Sequence, residues 1–451
     1  MERRIVVLGS FDTKGEELRF LSECVRERGH TPLCIDASIG GEPSTPPDVT
    51  SREVAEAGQA NIEELRRTKD THSATEAMIR GASALIRELY ENGSMGGIVS
   101  IGGASNTGLA TSVMAGLPFG VPKVMVSSMA AVPAYAGSYF GTKDIMMVHS
   151  VVDIAGLNPL LRSVLQRAAG AVCGMVEAGS APLRLPGGDR ERPRVALTEF
   201  KFSDVCCRHA AGLLADAGIE VVCFHAQGVG DRAMEELVDE GLIDAVLDIV
   251  PAGLAEEVLG GNRAAGPDRL AAAGRRGIPQ VVAPCGFDML SCGPLERGDR
   301  GDALWVSRQL SKRKLFVPDA LRVQARTTTE ELLQIANLVA EKLNRSTGEV
   351  LVLLPRRGWS SLSEEGRPLC DFEADAAFAR RLHEGVRPPV EVREVDLALN
   401  SKEFAETAVS ELLGMLERSR ASRAPSRGSV GRSDPALRAS SEAVNVRMTH
   451  H

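Results

Sequence analysis

Aromatic side chains and long apolar runs are scarce in this chain of 451 residues. Aromatic residues make up 4% of it, with two Trp and three Tyr, so few rings are available to stack on bases or sugars. No apolar run approaches the ~20 residues that a membrane-spanning helix needs, and we expect no membrane association. The formal net charge of −8 argues against general nucleic-acid binding and against binding to anionic lipids, because both need a positive field.

Cysteine pairs with metal-ligand spacing are missing too. The nine cysteines are scattered, and they form neither a CxxC motif nor a zinc-like cluster with histidine. The first residues run directly into a strand-like apolar segment and lack the pattern of a signal peptide. We therefore expect buried free thiols and a cytoplasmic protein.

Familiar catalytic motifs are also absent. The sequence contains no GxSxG nucleophile elbow, no HExxH zinc motif and no protein-kinase signature. Neither the Walker pattern GxxxxGKS/T nor the dinucleotide pattern GxGxxG occurs. The sequence therefore identifies no catalytic residue, and a ligand site has to be inferred from its loops.

What the chain does contain is a regular alternation of short β-branched runs and amphipathic stretches. This alternation is typical of a parallel sheet with crossover helices. Hydrophobic residues form 43% and charged residues 25% of the chain, as in soluble globular proteins. At about 150 residues per domain the length predicts two or three domains. We predict an α/β protein with two Rossmann-like, doubly wound parallel-sheet subdomains and a cleft between them.

A break rich in Gly, Pro and charge divides the chain near residue 180. It predicts an N-terminal Rossmann-like nucleotide-binding subdomain over residues 1–180, a linker over 181–193 and a C-terminal Rossmann-like subdomain over 194–417. From residue 418 the composition changes to Arg, Ser, Ala and Gly, which predicts a disordered tail over 418–451.

The two halves show the same alternation of predicted elements. In the first half the predicted strands are 5–9, 31–36, 97–101, 123–127 and 145–149, and the predicted helices are 14–28, 71–91, 106–115 and 160–177. In the second half the predicted strands are 195–198, 219–224, 245–250, 280–283, 314–317, 349–354 and 390–395, and the clearest helices are 328–343 and 401–416.

Ligands of a doubly wound sheet bind at the loops that leave the carboxyl ends of its strands. The first such loop, Gly9-Ser10-Phe11-Asp12-Thr13-Lys14, joins the first predicted strand to a helix. Lys14 and the helix amino terminus could hold a phosphate, and Asp12 could bind a magnesium ion or a ribose hydroxyl. Alternatively, Asp12 or Thr13 is a plain helix N-cap.

The second loop, Ile101-Gly102-Gly103-Ala104-Ser105-Asn106-Thr107-Gly108, follows the third predicted strand. Gly102 and Gly103 would let the backbone approach a ligand closely, and the free amides of the following helix would form an anion site. The small polar side chains that would add hydrogen-bond donors are Ser105, Asn106 and Thr107. The alternative is that the glycines only turn the chain.

Two further loops carry similar residues. The third, Gly141-Thr142-Lys143-Asp144, could reach phosphate, ribose or metal, and its Asp144 is a second candidate magnesium ligand beside Asp12. The fourth, Phe224-His225-Ala226-Gln227-Gly228-Val229-Gly230, could close on a ligand from the second subdomain through Gly228 and Gly230.

These loops together resemble those of the Tm-1-like ATP-binding family, which includes the ATP-binding region of a plant virus-resistance protein and bacterial and fungal relatives. The segments that carry the resemblance are 9–14, 100–107, 141–145, 225–230, 233–235 and 355–358. Their order spans roughly residues 4–416, so the resemblance covers the predicted folded body. One departure is Ala226-Gln227-Gly228-Val229-Gly230, where a Thr-Gly-x-Gly-Gly turn would be expected.

The resemblance implies an ATP molecule at the glycine loops and a homodimer. Plant relatives carry a C-terminal barrel domain where this chain has its Arg/Ser-rich tail, so a shared activity would need a separate barrel-domain partner protein. Together with the loops, this predicts a magnesium- and ATP-dependent enzyme that acts on a small metabolite between the subdomains. Two alternatives are a non-catalytic, nucleotide-dependent interaction or regulatory module, and a nucleotide-sugar transferase or epimerase.

Overall fold

The computed structural model describes residues 3–68, 70–179 and 192–423. In the first subdomain, short apolar runs form a five-stranded sheet in which all neighbouring strands are parallel. The strands are β1 (Arg4–Gly9), β2 (Pro32–Asp36), β3 (Met95–Gly102), β4 (Lys123–Ser127) and β5 (Met146–His149). Their order is β2-β1-β3-β4-β5, a doubly wound arrangement whose strand order reverses between β1 and β3.

Helices cover both faces of this sheet. They are α1 (Phe11–Glu27), α2 (Ser51–Ala57), α3 (Ile62–Arg67), α4 (Thr71–Glu91), α5 (Ala104–Ala115), α6 (Pro133–Phe140) and α7 (Pro159–Ala178). Because side chains alternate along a strand, Ile5 and Val7 pack on the face that α1 and α7 cover. Val6 and Leu8 point to the opposite face, where α2, α4 and α5 pack.

The second subdomain contains a six-stranded sheet that is also fully parallel. Its strands are β6 (Arg194–Glu199), β7 (Glu220–His225), β8 (Ala245–Asp248), β9 (Gln280–Val282), β13 (Val350–Pro355) and β14 (Val390–Val395). The order β14-β13-β9-β8-β6-β7 repeats the first sheet's pattern with one strand added, so its strand order reverses between β6 and β8.

A small antiparallel sheet is inserted between β9 and β13. It consists of β10 (Met289–Ser291), β11 (Leu315–Phe316) and β12 (Gln324–Arg326), in the order β10-β12-β11. The helices of this subdomain are α8 (Asp204–Asp216), α9 (Val229–Asp239), α10 (Ala252–Leu259), α11 (Ala272–Arg276), α12 (Glu296–Asp299), α13 (Ala303–Ser307), α14 (Thr329–Leu343), α15 (Phe372–Gly385) and α16 (Lys402–Arg423). The helices α8 and α16 pack on one face of the parallel sheet, whereas α10, α14 and α15 contribute to the core on the other.

The structure confirms the prediction of two parallel α/β subdomains. Residues 314–317 need a correction, because the strand there is β11 of the antiparallel sheet and not a member of the parallel one. The helix α16 continues to Arg423, six residues into the segment predicted as a disordered tail. Most of the predicted linker and the rest of the tail lie outside the described residues.

The structure bears on two expectations from the sequence: buried free thiols and no membrane-spanning helix. All nine cysteines are free, and seven of them are buried. Among the helices that the structure describes, none is long and apolar enough to cross a membrane.

Candidate functional site

The loops that follow β1 and β3 lie side by side at the carboxyl edge of the first sheet. Because β1 and β3 are neighbours at the reversal of strand order, their loops diverge to opposite faces and leave a crevice between them. The Ser10 hydroxyl, just after β1, donates a hydrogen bond of 3.4 Å to Asn106 Oδ1 in the first turn of α5. The structure therefore brings together two of the four loops singled out in the sequence.

Asn106 and Thr107 fix this loop through hydrogen bonds to residues of β3 and β4. The Asn106 amide donates to the Ile101 carbonyl and to Ser100 Oγ, and the side chain is buried. The Thr107 hydroxyl lies 2.7 Å from Ser127 Oγ at the end of β4 and is also buried. These two side chains, predicted to donate to a ligand, therefore have partners within the protein that position the loop.

The amino terminus of α5 is the exposed part of the same loop. Its N-cap, Gly103, supplies no side-chain hydrogen bond, so the first amides of the helix have no capping partner among the described side chains. Ala104 and Ser105 are exposed. A Cβ at Gly102 would lie 2.6 Å from Asn106 Cβ, whereas one at Gly103 would meet only Ser128 Oγ, at 3.9 Å. Gly102 is thus required by packing, and Gly103 faces open space.

Buried carboxylate oxygens lie at the adjacent end of the crevice. Asp12 Oδ1 and Asp36 Oδ2 are buried and have no hydrogen-bond partner among the described residues. Asp36 Oδ1 accepts from the Phe11 and Ser38 amides, at 3.1 and 2.9 Å. Burial raises the pKa of Asp36, hydrogen bonds from Ser38 and Phe11 oppose this rise, and the nearby negative charge of Asp12 adds to it. Buried polar groups without partners are rare in proteins, which makes this cluster a candidate ligand contact.

Asp36 was not among the residues selected from the sequence. It is the last residue of β2, and an acidic residue at this place binds the ribose in many dinucleotide-binding folds. The signal was available in the sequence, since the predicted strand over 31–36 ends on an aspartate.

Lys14 and Thr13, the other candidates in the first loop, differ: Lys14 bonds to a neighbouring loop, whereas Thr13 is exposed. The Lys14 ammonium donates to the Ile154 carbonyl, in the loop after β5. The Lys14 backbone departs from helical geometry (φ −128°, ψ 21°). Thr13 is exposed in the first turn of α1. Lys14 therefore stays at the carboxyl edge of the sheet, where it links the loops after β1 and β5.

The segment Gly141-Thr142-Lys143-Asp144 lies at the opposite edge. The helix α6 returns the chain to the amino end of the sheet before β5 begins. There Lys143 Nζ lies 2.9 Å from Glu236 Oε2 and 3.0 Å from Glu240 Oε1, both on α9 or at its end. Burial lowers the pKa of Lys143, but its hydrogen bonds to these two carboxylates outweigh burial and raise it. The structure thus separates Lys143 from the Gly103 loop and uses it to join the subdomains.

Thr142 and Asp144 have partners at the same edge. The Thr142 hydroxyl donates to Glu236 at 2.6 Å. Asp144 Oδ1 accepts from the fully buried Lys123 ammonium at 2.8 Å, and its Oδ2 accepts from the Gly120 amide at 2.8 Å. Asp12 and Asp144 therefore lie at opposite ends of the strands and do not share a metal site.

Gly228 and Gly230 form a tight turn after β7. Gly228 has a φ of +82°, and a Cβ there would lie 2.7 Å from the Ala264 carbonyl oxygen. A Cβ at Gly230 would lie 2.1 Å from the carbonyl oxygen of His225. Both glycines are thus required by the backbone itself. The described contacts between subdomains involve α9 and its end, so they do not bring this turn to the Gly103 loop.

The described side chains do not form a metal site of their own. Within residues 3–68, 70–179 and 192–423, His, Cys, Asp and Glu form no group of three or more that could hold a metal ion. A divalent cation at Asp12 would accordingly need most of its ligands from water or from a bound phosphate.

Fold and crevice together define a two-subdomain, doubly wound α/β protein with a polar crevice at the carboxyl edge of its first sheet. The chain belongs to the uncharacterised protein family UPF0261, whose N-terminal domain matches residues 3–181 and whose C-terminal domain matches residues 192–416.

Relatives match over nearly the whole chain. A UPF0261 protein of Clostridium tetani is 38% identical over 93% of this chain and 100% of its own length. A UPF0261 protein of Brucella suis is 33% identical over 90% of this chain and 94% of its own. The ToMV resistance protein Tm-1(GCR237) of Solanum lycopersicum is 30% identical over 92% of this chain and 56% of its own.

Proposed function

We propose that the crevice between the loops after β1 and β3 binds ATP, and that the protein is an ATP-dependent enzyme acting on a small metabolite. The observation that carries the proposal is the uncapped amino terminus of α5 behind Gly103, whose Cβ position is open. Free amides at a helix amino terminus attract phosphate through hydrogen bonds and the helix dipole. The resemblance of the glycine loops to those of the Tm-1-like ATP-binding family supports ATP among the possible anions.

The partnerless oxygens of Asp12 and Asp36 support the nucleoside and metal parts of the proposal. A ribose hydroxyl can donate a hydrogen bond to a buried carboxylate oxygen. Mg²⁺ bound to a nucleotide keeps several waters and takes one or two protein carboxylates, so Asp12 alone is a sufficient protein ligand. The bound ion would neutralise phosphate charge in a chain whose net charge is −8.

The test compares two Gly→Asp substitutions on one helix. Gly103→Asp places a carboxylate at the proposed phosphate position without a clash, because the nearest atom is 3.9 Å away. Gly108→Asp is the matched control, since its Cβ meets nothing within 4 Å and lies more than a turn along α5. Calorimetric titration with ATP and magnesium should show an affinity loss of about tenfold or more for Gly103→Asp only. Equal affinities for Gly103→Asp and the unmodified protein would refute the site.

A second candidate is a non-catalytic module that uses bound ATP to interact with another protein. The 30% identity to a protein named for virus resistance favours it, as does the absence of a catalytic motif from the sequence. The two candidates differ in turnover. ATP hydrolysis that persists over many cycles and accelerates with a metabolite supports the enzyme, whereas stoichiometric ATP binding without turnover supports the module.

A further inference from the structure

A cavity of about 500 Å³ opens at the carboxyl edge of the second sheet. It lies beyond β6 and β7, beside the reversal of strand order between β6 and β8, which is where doubly wound sheets bind ligands. Its volume is within the range of small-molecule sites. The residues that line it are contributed by the loops after β6, β7 and α10 and by the antiparallel sheet.

Arg263 is the buried cation of this cavity. Its side chain is 6% exposed, and its guanidinium carbon lies 4.4 Å from the centre of the Phe200 ring. Nε donates to Glu256 Oε1 at 3.2 Å and Nη2 to Gln324 Oε1 at 2.9 Å. Nη1 has no hydrogen-bond partner among the described residues. A buried guanidinium with an unused N–H group is costly unless a ligand accepts from it.

Three cationic side chains line the cavity, and the acids that pair with two of them lie outside its lining. Lys201, Arg263 and Arg322 line it, and the lining set contains no Asp or Glu. Two of these cations have carboxylates outside the lining, because Arg263 pairs with Glu256 and Arg322 with Asp319. For Lys201 the described residues supply neither an ion pair nor a hydrogen bond. The local field therefore favours an anion of low charge.

The remaining lining is mixed: apolar side chains lie beside the polar residues His225, Gln227, Asn262, Ser291 and Gln324. Phe200 and Phe202 stack edge to face with ring centres 4.9 Å apart. Leu321 is 75% exposed at the same cavity, a high value for a large aliphatic side chain. A ligand that covered Leu321 and reached the buried rings would remove apolar surface from water.

We propose that this cavity binds a small organic acid, with its carboxylate facing Arg263 and Lys201 and its apolar body against Phe200 and Leu321. Nη1 of Arg263 and the Lys201 ammonium have N–H groups that a carboxylate oxygen would accept from. The proposal is independent of ATP binding, because none of its residues belongs to the first subdomain.

Three pairs of probes test the chemical class on the full chain: phenylacetate and phenylacetamide, 3-phenylpropionate and its amide, and 4-methylpentanoate and its amide. Each amide keeps the shape and loses the charge. Saturation-transfer NMR and calorimetry should show at least one acid binding about tenfold or more tightly than its amide. Phenyl phosphate should bind no more tightly than the best acid.

Two substitutions at the cavity and one elsewhere test its position. Leu321→Glu and Lys201→Gln should each weaken acid binding severalfold, through repulsion and through loss of a cation. Val306→Glu is the matched control, because Val306 is 65% exposed and does not line the cavity. Acid binding should survive Gly103→Asp, which separates this site from the ATP crevice.

The opposite results would overturn the proposal. They are equal affinity for every acid and its amide, no binding by any of the three acids, tighter binding of phenyl phosphate, or acid binding that neither cavity substitution weakens. Loss of ATP binding alone would leave the acid site standing, and loss of acid binding alone would leave the ATP proposal standing.

Discussion

Arg269 donates two hydrogen bonds to Asp248, from Nη1 to Oδ2 at 2.6 Å and from Nη2 to Oδ1 at 2.7 Å, and both side chains are buried. The same guanidinium also pairs with Asp231 and Glu235 on α9. Burial raises the pKa of Glu235, and the positive charge of Arg269 opposes that shift. One cation thus joins the end of β8 to the helix behind the Gly228 turn.

We predict that Arg269→Met strongly destabilises the protein. The substitution leaves three buried carboxylates without their cation, and breaking a buried pair costs about 3–5 kcal/mol of unfolding free energy. Urea denaturation measures the loss. The control is Arg275→Met, which breaks a half-exposed pair with Asp239 and should cost about 1 kcal/mol or less. Similar losses for both variants would contradict the role assigned to Arg269.

Lys143→Met should leave ATP affinity unchanged and loosen the contact between the subdomains. Lys143 is held by Glu236 and Glu240 at the amino edge of the first sheet, away from the Gly103 loop. Hydrogen–deuterium exchange should become faster in α9, which loses its ion pairs with Lys143. Lys402→Met, at an exposed position of α16, should have no such effect. A large fall in ATP affinity for Lys143→Met would restore the nucleotide contact that the sequence predicted.

Asp144→Asn should lower stability and leave ATP binding unchanged, whereas Asp12→Asn should weaken ATP binding and leave stability nearly unchanged. Asp144 is the carboxylate partner of buried Lys123. Burial lowers the pKa of Lys123, and its hydrogen bond to Asp144 counteracts this. Loss of the Asp144 charge should cost about 1–3 kcal/mol of unfolding free energy, because Lys123 is buried whereas Asp144 is 28% exposed. Magnesium-dependent ATP binding should be unaffected.

Asp12→Asn should weaken magnesium-dependent ATP binding and change unfolding by about 1 kcal/mol or less, because Asp12 Oδ1 has no protein partner to lose in the described chain. Calorimetry with and without magnesium and urea denaturation measure the two quantities. Weaker magnesium-dependent binding in Asp144→Asn would contradict the assignment.

Asp375 should make stability fall as the pH rises from about 4 to 7. Burial raises the pKa of Asp375 from its usual value of 3.8 to about 7, and Arg326 opposes this shift. Between these two values the unfolded chain has released the proton and the folded chain retains it. Unfolding free energy therefore decreases by up to about 1.4 kcal/mol per pH unit from this group.

Asp375→Asn should remove that part of the slope. Urea denaturation at pH 4.5, 5.5 and 6.5 measures it for the unmodified protein and for the variant. Glu373→Gln, an exposed position on the same helix, should retain the original slope. Identical slopes for Asp375→Asn and the unmodified protein would show that Asp375 is ionised throughout this range.

Periodicity was a sufficient guide to the sheets because their strands are local apolar runs. Residues 5–9 and 350–355 form strands since each segment is apolar and both faces are covered. The segment 141–144 was predicted at the ligand edge because it was assigned to the loop that follows the fourth predicted strand, 123–127. The helix α6 there reverses the chain and moves these residues to the other edge.

The two parallel α/β subdomains and the glycine loop that begins α5 could be predicted from the sequence, because they depend on residues close together in the chain. Tertiary structure alone decided which of the candidate residues lie together. The partnerless oxygens of Asp12 and Asp36 are 24 positions apart in sequence, and Arg263 and Gln324 are 61 apart. Such long-range contacts arise from the order of strands and the face each helix covers, and no local pattern of residues encodes them.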